Sequence, residues 1–316
     1  VFEVQTELSQ QVTARLSGVA GMIVTADREA ARRKRPTDLN AYDLYLIALE
    51  AKQRETAEGI AECFTLLGRA LAMDPAFARA WALLGHCHAF SMRWAEDWDA
   101  AYARYLDAER RAVELDPLDA DAHAGFAMAL ALGGDLKQGE AEFDKALALN
   151  PNSADVLTRF AYWAVAFGRA AEGAEAAARA VRLDPGAPPW ALRFQSAGLA
   201  WGKRYDEAIR VRQKVPKAMF TDSDYIELAG FLVEAGRIGE ARALAAEAVA
   251  ALPGISIESW TGDPGWLEAD RQRAIAQMRA AAFPACAGEA EIARGAVKVR
   301  LPECVGNQAT ASGERS

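Results

Sequence analysis

Four prolines preceded by an acidic or amide residue divide the sequence: MDP at Pro75, LDP at Pro117, LNP at Pro151 and LDP at Pro185, at steps of 42, 34 and 34 residues. Pro253 follows 68 residues later, twice the shorter step, across a unit whose own proline is missing or displaced to Pro216. A fixed period of this length restricts the chain to an array of stacked supersecondary units, each burying its apolar face only against its neighbours. Gly134, Gly168, Gly202 and Gly236 recur at the same interval of 34, where a first helix would end in a left-handed residue. Between these marks the apolar spacing is helical: Trp81, Leu84, Gly85 and His88 fall at i, i+3, i+4 and i+7 of AWALLGHCH. Second helices follow, as in EAEFDKALALNP and EARALAAEAVAALP, with Ala112, Ala146, Ala180 and Ala248 where neighbouring helices must approach closely. No strand alternation precedes VKVRL at 297–301.

The proline spacing, WxxLG at Trp81 to Gly85, the mid-repeat glycines and the A-L-x-L-D/N-P endings resemble tetratricopeptide repeats, as six units over roughly residues 40–253. The resemblance implies an all-α fold: a right-handed α–α superhelix of about six helix pairs with an N-terminal helix and a C-terminal capping helix. Departures are local. Cys63 and Tyr105 stand at positions usually small in such repeats, His123 replaces the first-helix tryptophan, and the fifth unit, 190–217, is shifted by one residue. The stretches VFEVQTELSQQVTARLSG, RRKRPTDLNAYDLYLIALEA and DPAFARAWALLGHCHAF resemble the region of bacterial signalling proteins that joins a TolB-like domain to C-terminal tetratricopeptide repeats. In that family the N-terminal output domain is a class III adenylate/guanylate cyclase or a winged-helix DNA-binding domain. The repeat spacing and the tail pattern put the array at 36–253, a capping helix at 254–284 and a partly disordered tail at 285–316, and the resemblance implies that residues 1–35 are the terminal helix of a truncated upstream domain plus its linker. It also favours the periplasmic side of a membrane-tethered bacterial parent over the cytoplasm.

Composition excludes several functions. With 36 Lys and Arg against 44 Asp and Glu, the net charge of -8 leaves no concentrated basic face for a nucleic acid backbone. The one basic cluster, Arg28 to Arg35, reads as a helix terminus whose cations complement the carbonyl end of the dipole. No run of eighteen apolar residues exists to insert directly into a membrane. No paired metal-binding aspartates on a sheet and no glycine-rich phosphate loop appear, so no catalytic residue, cofactor or metal site is assigned. His86 and His88 point about 200° apart on a helix and cannot grip one ion; His88 and His123 read as core, and the acidic residues as a solvated face. Cys63 and Cys87 read as buried thiols. Cys286 and Cys304 are a candidate disulfide closing a loop of about 19 residues, which would stabilise the tail by roughly 3 kcal/mol.

Recognition remains. First helices of a tetratricopeptide array line its concave surface, and counting by offset from each repeat's start places Tyr45, Lys52, Arg79, His86, Phe90, Met128, Tyr162, Arg193, Trp201 and Glu234 there. The lysine, asparagine and arginine clamp with which some tetratricopeptide domains hold chaperone carboxyl termini is not reproduced at the matching positions. The expected ligand is therefore a protein or peptide segment, from the parent chain itself, a second copy or another protein, bound by a regulatory scaffold that is not an enzyme. The alternative is a dimerisation or spacer module without a hetero-ligand.

FSMRWAEDWDAAY at 90–102 accounts for the step of 42. Eight extra residues without Gly or Pro suggest that both helices of the second pair are lengthened, with the turn near Glu96 and Asp97. Trp98, Tyr102 and Tyr105 then share the inward face of the second helix, while Phe90 and Trp94 are left as candidates for contact. In the tail, GDPGWLEADRQRAIAQMRAAAF (262–283) suggests a capping helix with Asp263 as cap, Pro264 at its first position and Trp266, Leu267, Ile275 and Met278 inward. Residues after Val305 are polar, small and expected to be disordered.

Overall fold

The computed structural model describes residues 22–35, 37–263, 268–293, 295 and 297–305. Every regular element among them is helical and no strand occurs, so the chain is all-α, of the α–α superhelix class. The expected disorder after Val305, the expected inward Trp266 and Leu267 and the Pro264 helix start lie outside the described residues. The chain divides into two compact units, 1–202 and 203–316.

Unit 1 opens with α1 (Met22–Arg32) and continues in antiparallel pairs: α2 (Ala41–Gln53) with α3 (Ala57–Met73), α4 (Ala78–Ser91) with α5 (Trp98–Leu115), α6 (Ala120–Leu132) with α7 (Leu136–Leu149), and α8 (Ala154–Trp163) with α9 (Ala170–Leu183). The first helix of a fifth pair, α10 (Pro189–Trp201), ends the unit. The residue before each periodic proline ends a second helix, because the proline ring disfavours helical backbone there. Asp74, Asp116, Asn150 and Asp184 all sit outside the helical region as C-caps. Their side chains accept from the N–H two residues on, at Ala76, Leu118, Asn152 and Gly186, at 3.1–3.2 Å. This Asx turn explains why the period is written D/N-P. Ala112, Ala146, Ala180 and Ala248 have no exposed surface, as close helix contact requires.

The left-handed turns fall as expected at Gly134, Gly168 and Gly236, with φ of 88°, 73° and 75°. Gly202 departs from the expectation: its φ is -78° and Lys203 takes the left-handed place, in keeping with the one-residue shift of that repeat. In the first pair the corresponding residue is Glu55, with φ 52°.

The eight-residue insertion divides evenly. A 3-10 turn, Met92–Trp94, adds three residues to the 14 of α4, against 13 in α6, while α5 has 18 residues against 14 in α7. Asp97 caps α5, its side chain accepting from Ala100 N. Tyr105 is buried, and the Tyr102 hydroxyl donates to Ala129 O at 3.1 Å. Trp98 corrects the inward assignment: it begins α5 at 46% exposure and stacks on Tyr102, which holds the inner place, at 5.3 Å.

The buried thiols expected at Cys63 and Cys87 are instead a disulfide joining α3 to α4, with Cα atoms 6.9 Å apart. The two residues belong to different repeats, so only the packing of adjacent repeats brings them opposite one another.

Unit 2 contains α11 (Tyr205–Arg212), a 3-10 turn Lys217–Met219, the antiparallel pair α12 (Asp222–Glu234) and α13 (Ile238–Ala251), α14 (Ile257–Thr261), α15 (Glu268–Ala280), α16 (Glu289–Ala293) and α17 (Pro302–Val305). Ile275 and Met278 of α15 are buried beside Ile226, Leu232 and Leu244, so α15 covers that pair. Cys286 and Cys304, the candidate pair, are bridged, with Cα atoms 5.4 Å apart. Glu258, fully buried, accepts from Ala287 N at 2.9 Å, Leu301 N at 2.8 Å and Arg300 Nε at 2.8 Å, tying the tail to α14. Lys298 N and Val299 N donate to Gly262 O at 3.0 and 2.9 Å, and no strand forms among the described residues of 297–301.

Candidate functional site

Polar groups that the exteriors of these helices should have kept in water are gathered on the first helices of unit 1. Arg159 of α8 is nearly buried; its Nη1 donates to Asp121 Oδ1 at 3.3 Å and to Asp121 O at 3.4 Å. Its guanidinium lies 5.8 Å from the centre of the Trp190 ring, and the Lys52 ammonium lies 5.5 Å from the same ring. These contacts bring α2, α6, α8 and α10 to one place. Burial pushes the Asp121 carboxyl up to about 6, with Arg159 opposing and Asp155 and Asp119 adding to the rise. Yet 48% of that side chain remains exposed. Burial likewise pushes Asp155 up and Lys52 down.

Behind this surface lies Glu109. It belongs to the second helix α5, and its carboxylate passes between Gly85 of α4 and Gly125 of α6, where a Cβ on either glycine would collide with it. Neither Glu109 oxygen has a hydrogen-bond partner, and neither does His86 Nε2, 3.6 Å from Glu109 Oε1. Buried polar groups are normally paired. Burial drives the Glu109 carboxyl well up, against the pull of Arg159, and drives the His86 imidazole well down, helped by Arg159 and Lys52.

An aromatic wall adjoins the charges. Tyr162 stacks on Phe194 with centroids 4.1 Å apart and touches Trp201 at 5.1 Å, while Trp190 meets Phe194 edge-on at 5.9 Å. Tyr162, Trp190, Phe194 and Trp201 are all only partly buried.

The sequence-assigned residues thus separate into groups. Tyr162 and Trp201 come together on the wall. Arg193, one residue before Phe194, bonds Glu55 Oε2 at 2.9 Å. Tyr45 packs on Phe77 at 5.2 Å, and burial pushes its hydroxyl to about 12. Arg79 is exposed, 3.7 Å from Asp119. Met128 is half-buried on α6. Phe90 meets Trp94 edge-on at 5.4 Å and carries the Arg93 guanidinium 4.4 Å above its ring, and Trp94 is 52% exposed. Glu234 belongs to unit 2, where it accepts from Gln277 Nε2 at 2.7 Å and Arg273 Nε at 3.3 Å of α15. His88 packs on Phe64 at 4.8 Å, and His123 is a buried core residue between Glu142 and the Pro117 carbonyl.

Glu55, Glu109, Asp121, Asp155, Arg159, Trp190 and Phe194 were not assigned from the sequence. The reading of the acidic residues as a solvated face is corrected by Glu109, which is four residues from Tyr105 and three from Ala112, on the stripe that turns inward. Asp155, Arg159 and Tyr162 likewise form one helical stripe at i, i+4 and i+7.

Glu258, Cys286 and Cys304 bring potential metal-ligand atoms within 4.8 Å of one another. The sulfurs are bonded to each other and the carboxylate to three donors, so the trio is committed to structure. No helix among the described residues is long and apolar enough to cross a membrane.

No family model matches the sequence, and no curated protein matches it. Among solved structures, the chain is similar to the APC/C hetero-tetramer Cut9–Hcn1, with a TM-score of 0.56 at 14% identity over 77% of this chain and 45% of that one. It therefore spans less than half of that relative, and the likeness shows the fold alone. A thermophilic TPR protein of Thermus thermophilus aligns at 22% identity and TM-score 0.44, over 56% of this chain and 89% of that one. The type IV pilus biogenesis factor PilW aligns at 16% and 0.47, over 70% and 96%; both are weaker likenesses than that to Cut9–Hcn1. The likeness agrees with the stacked helix pairs of an all-α repeat fold.

Proposed function

We propose that the chain is a protein–protein interaction module whose first-helix face in unit 1 receives an extended segment of a partner. The carrying observation is the half-buried aromatic wall of Tyr162, Trp190, Phe194 and Trp201 beside Arg159 and Lys52. Large, partly buried rings with fixed charges next to them supply an apolar anchor and orientation together. On the resemblance of its flanks, the chain is the C-terminal array of a bacterial signalling protein of the TolB-like type, associated with a cyclase or winged-helix output domain, with no catalysis of its own. The coding sequence upstream tests that context.

The groove reading is tested by panning a random-peptide phage library against the protein and measuring the recovered peptides by calorimetry. Tyr162→Ala and Trp201→Ala are each expected to weaken binding by roughly tenfold or more, the scale of a central aromatic anchor, with helicity by circular dichroism unchanged. Unchanged affinity in folded variants sinks the reading. Exposed Trp94 and Trp98 favour a second reading, contact between copies through the tip of the α4/α5 pair, which sedimentation of wild type and Trp94→Ser compares directly.

A further inference from the structure

We propose that the Glu55–Arg193 ion pair is a latch that holds α2 against α10 across the first-helix face of unit 1, and that a partner must open it to reach the aromatic wall. The proposal rests on the reading that this face receives the partner, and adds a closed resting state to it.

Glu55 and Arg193 are 138 residues apart in sequence and meet at 2.9 Å, with side chains only 11% and 18% exposed. Lys52, one turn before Glu55 in the chain, adds a second tie by lying over Trp190 of α10. Array neighbours touch through adjacent repeats; here the first repeat of the unit reaches the last, so the contact spans the face that lies between them.

The backbone at Glu55 points the same way. Its φ of 52° places it in the left-handed region, and the corresponding residues of other repeats are Gly134, Gly168 and Gly236. At those glycines an added Cβ would meet nothing within 4 Å. Glycine is used there for its backbone freedom and not for space. Position 55 has the same conformational demand and carries a long carboxylate instead, despite the strain. Lys203 also adopts the left-handed form, but it is exposed. Glu55 is the one whose side chain is delivered to a distant helix. A strained residue is kept where the surroundings impose it, often at a switch.

Position also matters on the other side. Arg193 lies between Trp190 and Phe194, and Phe194 stacks on Tyr162. The cation that Glu55 holds is thus on the helix that carries most of the wall. Opening the latch releases α10 from α2 and draws Lys52 away from the Trp190 ring at the edge of the wall.

Glu55→Gly breaks the pair while giving the backbone the residue it prefers, so loss of folding does not obscure the result. Hydrogen–deuterium exchange of the full chain, with no partner present, is expected to speed up by about fivefold or more in peptides covering 189–195 and 50–56. Binding of 8-anilinonaphthalene-1-sulfonate, which reports exposed apolar surface, is expected to rise with it. Arg193→Glu should behave alike, and the double exchange Glu55→Arg with Arg193→Glu should return both readouts toward wild type. Exchange within twofold of wild type in Glu55→Gly overturns the latch, as does a double variant no more protected than the single ones. Because no partner enters these measurements, a working latch combined with peptide binding indifferent to Tyr162 and Trp201 would leave the latch standing and remove the groove.

Discussion

Glu109 in unit 1 and Glu258 in unit 2 are both glutamates with no exposed surface, and they are treated in opposite ways. Glu258 accepts from Arg300 and from two backbone N–H groups. Burial alone would raise its carboxyl; the Arg300 hydrogen bond and the two backbone donors outweigh that and hold it below the usual carboxylate range. Glu109 has no hydrogen-bond partner, and burial drives it well above that range. A matched buried charge pins one chain segment to another. An unmatched one lowers stability and persists where the surface around it has another use. Unit 2 shows the first pattern again at Arg212, buried between Asp224 at 3.3 Å and Glu227 at 2.6 Å.

The contrast can be broken from the side of unit 2, where the effect should be largest. Glu258→Ala leaves Arg300 and two buried N–H groups without their acceptor and should destabilise by about 3 to 5 kcal/mol, read by urea denaturation. The tail 284–305 should lose exchange protection with it. Replacing Cys286 and Cys304 together by Ser, which opens the loop they close, should cost roughly 3 kcal/mol, detected as a lower denaturation midpoint. If neither variant loosens the tail, Glu258 and the disulfide do not pin it to α14.

On the side of unit 1 the sign reverses. A carboxyl raised above its unfolded value of 4.5 contributes stability that is fully present below that pH and lost as pH rises through the folded value. For Glu258, held low, the contribution is present above the unfolded value and lost as pH falls. Glu109→Gln keeps the shape and removes the ionisation, so it should stabilise the protein at pH 7 by about 1 to 2 kcal/mol. That advantage should shrink toward zero near pH 4. His86, lowered by burial, loses its contribution as pH falls below its ordinary 6.5, so it is the difference between wild type and Glu109→Gln that isolates the glutamate. A difference flat with pH would show that Glu109 is ionised and satisfied.

The fold was legible because its signals are local and repeated. The prolines, the left-handed glycines and the close-contact alanines each act within a few residues, and among these marks Gly202 departs, by one residue. The candidate site was half legible. Offset counting reached Tyr162, Trp201, Lys52 and His86, which lie on the expected helices. It missed Glu55, because a turn residue is counted as a connection. It missed Glu109 because a second-helix residue reaches the inner face only through a gap left by two glycines of other helices. The Cys63–Cys87 bridge was hidden for the same reason: its geometry belongs to packing between repeats, and no spacing along one helix announces it.

The smallest expected effect sits at the insertion. Trp94 and Phe90 touch edge-on and belong to one short stretch, but they differ in how much water they see: Phe90 lies half-buried beneath Arg93, and Trp94 keeps 52% of its surface exposed. A side chain that is already half in water gives up little packing when shortened, so Trp94→Ser should change stability by less than about 0.5 kcal/mol. Phe90→Ala removes the ring that Arg93 covers and should cost visibly more. Comparing the two by thermal denaturation separates packing from display within a single turn. An unchanged midpoint in Trp94→Ser, together with a change in self-association or in partner binding, would identify the tip as a contact surface. A destabilisation equal to that of Phe90→Ala would place Trp94 in the fold's own packing instead.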